Sequence, residues 1–372
     1  MKETARLQAA GEQLHSHLER EKREGLMSEE DLKRRLYDNT RISSYKSCPR
    51  AFYYAHERDW RKEGTATALI FGGAWHNAMD VLWEQMGNGT LLSDSAVVDL
   101  AYEAFVAKWT KEGLPDPDQM GPDEIAYYSP RTPMVAKEML YGYLEARRGF
   151  FTDPTFKLIS IEQPFAVPLD PEDTTLWYVG RLDKVFELKG NIHVGEHKTS
   201  TAYRVNGPFR NDFLDSWSPN SQVDGYLYAL RSLYGKKAKS VWIDAALVHK
   251  KVHNGFRFIP VDRQYAQLDA WLWSAHCWID QIEGNKEVLR LNRDREPNRY
   301  LDAFPQNTGA CGNYGGCSYR DLCKTLPNPE KEKVPPLGYK EEHWSPFDEI
   351  KLEQIGMDRE STGETENAGE TA

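Results

Sequence analysis

Between residues 179 and 200 the chain reads VGRLDKVFELKGNIHVGEHKTS. Apolar and polar residues alternate on both sides of a glycine-containing turn, which commits this stretch to a β-hairpin. Three charged residues interrupt the alternation. Asp183 lies in the first strand, while Glu196 and Lys198 lie in the second, where an inward face calls for Val or Ile. Glu196 and Lys198 are two residues apart and therefore share a face. A two-residue Gly190-Asn191 turn would pair position 183 with 198, placing Asp183 opposite Lys198 and diagonal to Glu196 on that same face.

Two neighbouring carboxylates resist joint ionisation unless a cation sits between them. Oxygen donors of this kind suit Mg²⁺ or Mn²⁺. Such an ion lowers the pKa of a bound water and steadies a phosphoryl oxygen. Lys198 adds a mobile positive charge for the attacking water or for charge developing on phosphorus. The residue set fits hydrolysis of a phosphodiester. A cross-strand Asp–Lys pair on a wet sheet face would use the same residues, so the hairpin alone leaves both readings open.

The rest of the chain supplies context. Residues 1–40 read as a charged helix, and 41–150 as a helical part. In the latter, Ser43 or Ser44 is a candidate cap for a helix carrying Tyr45, Cys48, Phe52 and Tyr53. A glycine break in FGGAWHNAMD precedes helical spacing at Trp75, Met79, Leu82 and Trp83, and a Pro-rich loop spans 115–133. From about residue 155 to 290 strands and helices mix. FKLISIEQPFAVPL, TTLWYVGRLDKVFEL and NIHVGEHKT are three strands, a helix follows at 220–234, then SVWIDAALVHK and GFRFIPV as strands, then a helix at 263–290. This pattern is α/β. A cysteine segment occupies 305–325, and 326–372 reads as an extended, disordered acidic tail.

Residues 346–372 hold eight acids against two bases, more than half of the net charge of −10 carried by the 372 residues. The overall negative charge therefore does not exclude a basic groove in the body. The N-terminus lacks an apolar signal core, no apolar run approaches the ~20 residues that span a bilayer, and the five cysteines are an odd number. The expectation is a cytoplasmic protein with no membrane partner, its thiols reduced or bound to metal.

Other motifs stand in order around the hairpin. ISSYKSCPRAFYY precedes FGGAWHNAMD; GRLDKV and GEHKT follow; then comes QVDGY, whose Gln222 and Tyr226 lie i, i+4 on one helix face. From residue 42 to 323 this series resembles the RecB-like and AddB-like branch of the PD-(D/E)XK nucleases, which includes CRISPR-associated adaptation nucleases and phage-encoded exonucleases. The segments are similar to that branch's Ser-x-x-x-x-Cys-Pro, Gly-x-x-x-His, Gly-Arg-x-Asp, Asp/Glu-x-Lys and Gln-x-x-x-Tyr motifs, with Glu196 where Asp is more frequent. The resemblance implies a restriction-endonuclease-like core, a central mixed β-sheet flanked by helices, with an N-terminal helical region and a C-terminal cysteine cluster. It also implies that Asp183, Glu196 and His76 ligate the catalytic metal, with the backbone carbonyl of His197 as a further ligand. Lys198 would position the nucleophile, with Gln222 and Tyr226 beside it. Glu162, in SIEQPF, resembles an acidic residue at the start of the first core strand.

Cys311, Cys317 and Cys323 fall in CGNYGGCSYRDLC, far from Cys48. In the resembling nucleases one early and three late cysteines hold a [4Fe–4S] cluster, and four thiolates are what such a cluster needs. The Cys-x5-Cys-x5-Cys spacing departs from the Cys-x2-Cys-x5-Cys of many relatives, and a structural Zn²⁺ bound by the same four cysteines is the alternative. Cys277 reads as a buried free thiol. Candidate phosphate contacts are Lys46, Arg50, Arg58, Arg61 and Lys62, then Lys250, Lys251 and Arg257, then Arg290, Arg293, Arg295 and Arg299. Tyr45, Phe52, Tyr53, Tyr54, Trp60 and Trp217 are candidate base-stacking rings. The expected activity is a metal-dependent deoxyribonuclease, an exonuclease of DNA recombination or processing acting on single strands or duplex ends. A structure-selective endonuclease and a non-catalytic, cluster-bearing DNA-binding module are the alternatives. The chain has no Gly-x-x-x-x-Gly-Lys-Ser/Thr motif, so unwinding would fall to a partner helicase. A recombinase or single-strand-binding protein are the other partners of this reading. If the protein is phage-encoded, its compartment is the host cytoplasm.

Overall fold

The computed structural model describes residues 36–343 except 65, 171–172, 174–175, 254 and 293–297. Its strands are β1 (Leu36–Tyr37), β2 (Trp60–Lys62), β3 (Lys157–Pro168), β4 (Trp177–Leu188), β5 (Asn191–Ser200), β6 (Ala238–Leu247), β7 (Phe256–Val261) and β8 (Tyr339–Glu341). Its helices are α1 (Asn39–Ser47), α2 (Pro49–Phe52), α3 (Thr67–Gly87), α4 (Asp94–Lys111), α5 (Pro122–Tyr128), α6 (Pro133–Phe151), α7 (Asn211–Asp215), α8 (Ser221–Tyr234), α9 (Tyr265–Asn292) and α10 (Arg320–Thr325). Six strands form one mixed sheet, with β3 and β5 antiparallel to β4, β6 parallel to β5, and β7 antiparallel to β6. This is the mixed α/β architecture expected of a PD-(D/E)XK core.

The hairpin forms one residue away from its expected turn. Lys189 (φ 51°) and Gly190 (φ 78°) take the two left-handed positions that a type I′ turn requires. Leu188 therefore pairs with Asn191, and Lys184 with Gly195. This register sets Asp183 level with Glu196 rather than with Lys198. Because the slip is two positions in the pairing, the charges keep their shared face.

Parallel strands need a crossover. Between β5 and β6 it is α8, which thereby lies over the strand that carries Glu196 and Lys198. Its approach is close: a methyl group on Gly225 would stand 2.2 Å from Tyr178 Oη. The sheet separates two apolar clusters. One joins β4, α8 and α9 through Tyr178, Leu182, Leu227 and Trp271; the other joins α3, α4 and α6 through Trp75, Trp83, Phe105 and Tyr143.

Several boundaries differ from expectation. Residues 1–35 and 344–372, which hold most of the expected N-terminal helix and acidic tail, lie outside the described residues. Leu36 and Tyr37 are strand, paired in parallel with Trp177 and Tyr178. The cap of α1 is Asp38, whose carboxylate accepts from Arg41 N at 2.6 Å, and not Ser43 or Ser44, which lie inside the helix. Gly72 and Gly73 do not break α3; they lie within it, where Gly73 faces the Lys108 side chain and Gly72 faces Thr199. Residues 326–343 return across the fold, and β8 pairs with β2.

Arg50, a candidate phosphate contact, is instead buried, at 4% exposure. Its guanidinium donates to the carbonyl oxygens of Phe304 (3.0 Å) and Leu301 (3.2 Å). Arg58 donates to Pro329 O at 2.6 Å and lies over the Trp60 ring, and Arg61 donates to Ala55 O. Arg50 and Arg58 thus tie α2 and the turns after it to the C-terminal part of the chain. Replacing Arg50 with Ala leaves two buried carbonyls without a charged donor. The expected loss is about 2–4 kcal/mol, read from urea unfolding. An unchanged midpoint would show that the clamp carries no stability.

Candidate active site

His76 projects from α3 toward the hairpin. Its Nε2 donates to the backbone oxygen of His197 at 2.8 Å, and its Nδ1 lies 3.2 Å from Asp183 Oδ2. The same Oδ2 accepts from His197 N–H at 3.1 Å. On β5, the Lys198 amine is paired with Glu196 Oε1. From α8, Gln222 Nε2 donates to Glu196 Oε1 at 3.0 Å and to Tyr226 Oη at 3.2 Å. The start of α8 is fixed by Asn220, whose side-chain oxygen accepts from the amides of Gln222 and Val223. Residues 76, 183, 196–198, 222 and 226 thus meet in one contact network, as the sequence motifs require.

The two carboxyl groups are shifted in opposite directions. Burial pushes Glu196 up to about 8, the charge of Asp183 adds to this, and Lys198 opposes it. Burial also pushes Asp183 upward, but the charges of His76, Lys184 and Lys198 outweigh it, and its carboxyl sits below the usual range. Glu196 Oε2 is buried and has no hydrogen-bond partner. Two acids, an imidazole and a backbone carbonyl around an unsatisfied buried oxygen are a donor set that fits a hard divalent cation. As the side chains are placed, Lys198 and His76 engage the carboxylates themselves. Among the described residues no group of three or more His, Cys, Asp or Glu side chains is arranged to hold a metal ion as it stands.

The family model of the PD-(D/E)XK nuclease superfamily matches residues 39–324, which include every residue of this network. The chain belongs to the PD-(D/E)XK nuclease superfamily. Among solved structures, this nuclease-family chain is similar to the crystal structure of a "Putative exonuclease" from Eubacterium rectale. The two share 14% identity, with 73% of this chain and 89% of that one covered and a TM-score of 0.40, a likeness too weak to carry an argument. No curated protein matches the chain.

Beside the PD-(D/E)XK residues lies a cleft of about 570 Å³, lined by His76, Asp183 and Lys198 together with residues that the motifs do not name. Asp80 stands one turn beyond His76 on α3, and its carboxylate pairs with the amine of Lys184, whose side chain has no solvent exposure. That amine also donates to Asp183 O at 3.1 Å. The i, i+4 spacing of His76 and Asp80 was a readable signal for this pair; Lys184, next to Asp183, gave none. Glu162 lies in the cleft wall, ion-paired with Arg181, in a left-handed conformation (φ 52°) rare for a non-glycine residue within a strand. The ring of His197 turns to the other side of the sheet, against Trp83 and Tyr143. There Arg147 donates to Asp244 Oδ1 at 2.6 Å, and Trp83 donates to Tyr143 Oη at 2.7 Å.

Several expected DNA contacts do not reach this cleft. Trp217 is buried against Phe213. Tyr45, Phe52, Tyr53, Tyr54 and Trp60 are all core residues. Arg290 is paired with Glu287, and Arg293 and Arg295 lie outside the described residues. Lys250 and Lys251 are exposed in the loop after β6, at the end of the strand that pairs with Ser200. No helix among the described residues is long and apolar enough to cross a membrane.

The cysteine segment packs back on α2. Cys48 is buried, and Asn307 N–H points at its Sγ at 3.4 Å. Cys317 N–H donates to Cys311 O at 3.1 Å. Burial pushes the Cys323 thiol up to about 11, and the neighbouring Cys48 and Cys317 contribute to the rise. Cys277 is only partly buried on α9, not fully so as its apolar neighbours suggested.

Burial pushes the Glu162 carboxyl to about 7, with Asp183 and Asp80 adding. Between its ordinary value of 4.5 and about 7 the folded chain binds a proton that the unfolded chain releases. This contribution to stability is complete below the lower value and is lost as pH rises through the upper one. In metal-free buffer the melting temperature is expected to fall over this window, and Glu162→Gln should flatten the fall. Identical slopes for the two proteins would remove Glu162 as the cause.

Proposed function

We propose that this chain is a metal-dependent deoxyribonuclease of the RecB/AddB-like branch, acting as an exonuclease in DNA recombination or processing. One observation carries the reading: Glu196 receives both Lys198 and Gln222 while Asp183, level with it on β4, receives His76 and the amide of His197. Residues from three separate elements, β5, α8 and α3, are spent on two buried acids, where an apolar core would suffice for folding alone. In this reading Asp183, Glu196, His76 and the His197 carbonyl hold Mg²⁺ or Mn²⁺, which supplies Lewis acidity at the phosphate and an activated water. Lys198 holds its ammonium against Glu196, poised to orient a water or to balance charge growing on a phosphoryl oxygen. Gln222 fixes the orientation of Glu196, and Tyr226 supports Gln222 from one turn further along α8. Lys250 and Lys251, exposed beside the end of β5, are the retained candidates for contact with the DNA backbone.

Cys48, Cys311, Cys317 and Cys323 are proposed to bind a [4Fe–4S] cluster. Cys48 and Cys317 lie close enough to Cys323 to help raise its thiol, which supports a shared thiolate centre, and four sulfur donors satisfy either a cluster or a zinc ion.

The protein should be purified anaerobically and given Mg²⁺ or Mn²⁺ with end-labelled linear DNA and with covalently closed circular DNA. Degradation of the linear substrates alone is the expected result, abolished by EDTA and slowed about 10²–10³-fold by Lys198→Ala. Nicking of the circle at a similar rate would make the enzyme an endonuclease, and equal rates for wild type and variant would reject the proposed site. The cluster predicts broad visible absorption that Cys317→Ala removes. A colourless protein with stoichiometric zinc would assign the cysteines to zinc.

A further inference from the structure

The catalytic cleft contains a cation that the chain leaves unanswered. Of the cationic side chains lining it, Lys108 pairs with Glu112 at 2.8 Å, Arg181 with Glu162, and Lys198 with Glu196. Among the described residues Arg131 has no carboxylate partner, and its Nε is buried without a hydrogen bond. Other arginines with a buried, unbonded nitrogen are compensated differently. Arg147 pairs with Asp244 and Arg231 with Asp262, while Arg41 lies over the rings of Tyr37 and Phe52.

The guanidinium is only half-buried, but leaving its buried Nε without an acceptor still carries a cost, which calls for an explanation. Burial also holds the Arg131 pKa below its ordinary value, the direction of a charge lacking a partner. The backbone at this position is held in place. Its amide donates to Tyr128 O at 2.8 Å, and the adjacent Thr132 caps α6 by accepting from Val135 N at 3.3 Å. A guanidinium with no acid of its own, in a cleft that also contains Asp183 and Lys198, offers a fork of donors to a planar or tetrahedral oxyanion.

We infer that Arg131 anchors a DNA backbone phosphate neighbouring the one that is cut. The inference rests on the nuclease reading above and adds to it the anchoring group that sets the register of the strand in the cleft. Lys108, on α4 in the same wall, adds positive charge without a planar fork of donors.

The test uses the full chain with Ca²⁺ in place of Mg²⁺ and a labelled single-stranded oligonucleotide, read by fluorescence anisotropy. Arg131→Gln is expected to weaken binding at least about tenfold, the loss of one charge-assisted phosphate contact. The slope of log affinity against log salt should fall by about 0.7, while Arg131→Lys retains most of the affinity. A scan of oligonucleotides, each with one neutral methylphosphonate, should locate one position beside the cut that costs wild type affinity and costs Arg131→Gln nothing further. Because Arg131 lacks a partner in the free protein, Arg131→Gln should melt at or above the wild-type temperature. Wild-type affinity and slope in Arg131→Gln, or equal costs for both proteins along the whole scan, would overturn the inference and leave the nuclease reading standing. Should the variant melt lower, the wild-type scan decides by itself, since the absence of any sensitive position beside the cut overturns the proposal. A wild-type protein that neither binds nor cuts DNA would overturn both.

Discussion

Two acids share a nearly dry space between adjacent strands, and much of the architecture answers to them. Glu196 is 2% exposed and Asp183 8%. Side by side in low dielectric they repel, and burial penalises the charge on each. Compensation arrives from every direction: Lys198 from the same strand, Gln222 from above the sheet, His76 from α3, and Lys184 next to Asp183. Gln222 is in reach because the parallel β5–β6 pairing requires a crossover helix and because α8 approaches closely at Gly225. The sheet topology and the charge arrangement are thus one solution to one electrostatic problem.

The sequence disclosed this problem well and its surroundings less well. Strand alternation placed Glu196 and Lys198 on one face, and the i, i+4 spacing of Gln222 and Tyr226 aimed them together, because both signals are local and periodic. The turn was misplaced by one residue because Gly190-Asn191 and Lys189-Gly190 both place a glycine where a left-handed conformation is needed; strand pairing chose between them. Basic and aromatic residues at 45–62 could have lined a nucleic-acid channel or a core, and composition does not distinguish these. The deciding partners of Arg50 and Arg58 lie some 250 to 270 residues downstream. The ion pair of Lys184 with Asp80 spans 104 positions and had no local signature for the same reason.

His197 shows how one strand position serves both faces of the sheet. Its main chain offers an amide to Asp183 and a carbonyl to His76, while its ring is fully buried against Trp83 and Tyr143. The placement of this backbone is therefore coupled to packing against α3 and α6, and the polar cluster of Arg147, Asp244 and Tyr143 belongs to its support.

The joining of the two ends of the fold bears on how the protein is made. A nascent chain that has emerged only through α9 contains Arg50 but neither Leu301 nor Phe304, and β2 has no β8 beside it. The guanidinium then has no buried acceptors, and although Tyr45 on α1 can already reach Gln281 and Asn285 of α9, α2 lacks the segment it packs against. Synthesis runs from the N-terminus, so a segment made early waits for contacts made late, and the high sequence separation of those contacts slows closure. The last part of the body to leave the ribosome is thus what completes the first, and chains terminated early would expose an aromatic surface that chaperones and proteases recognise.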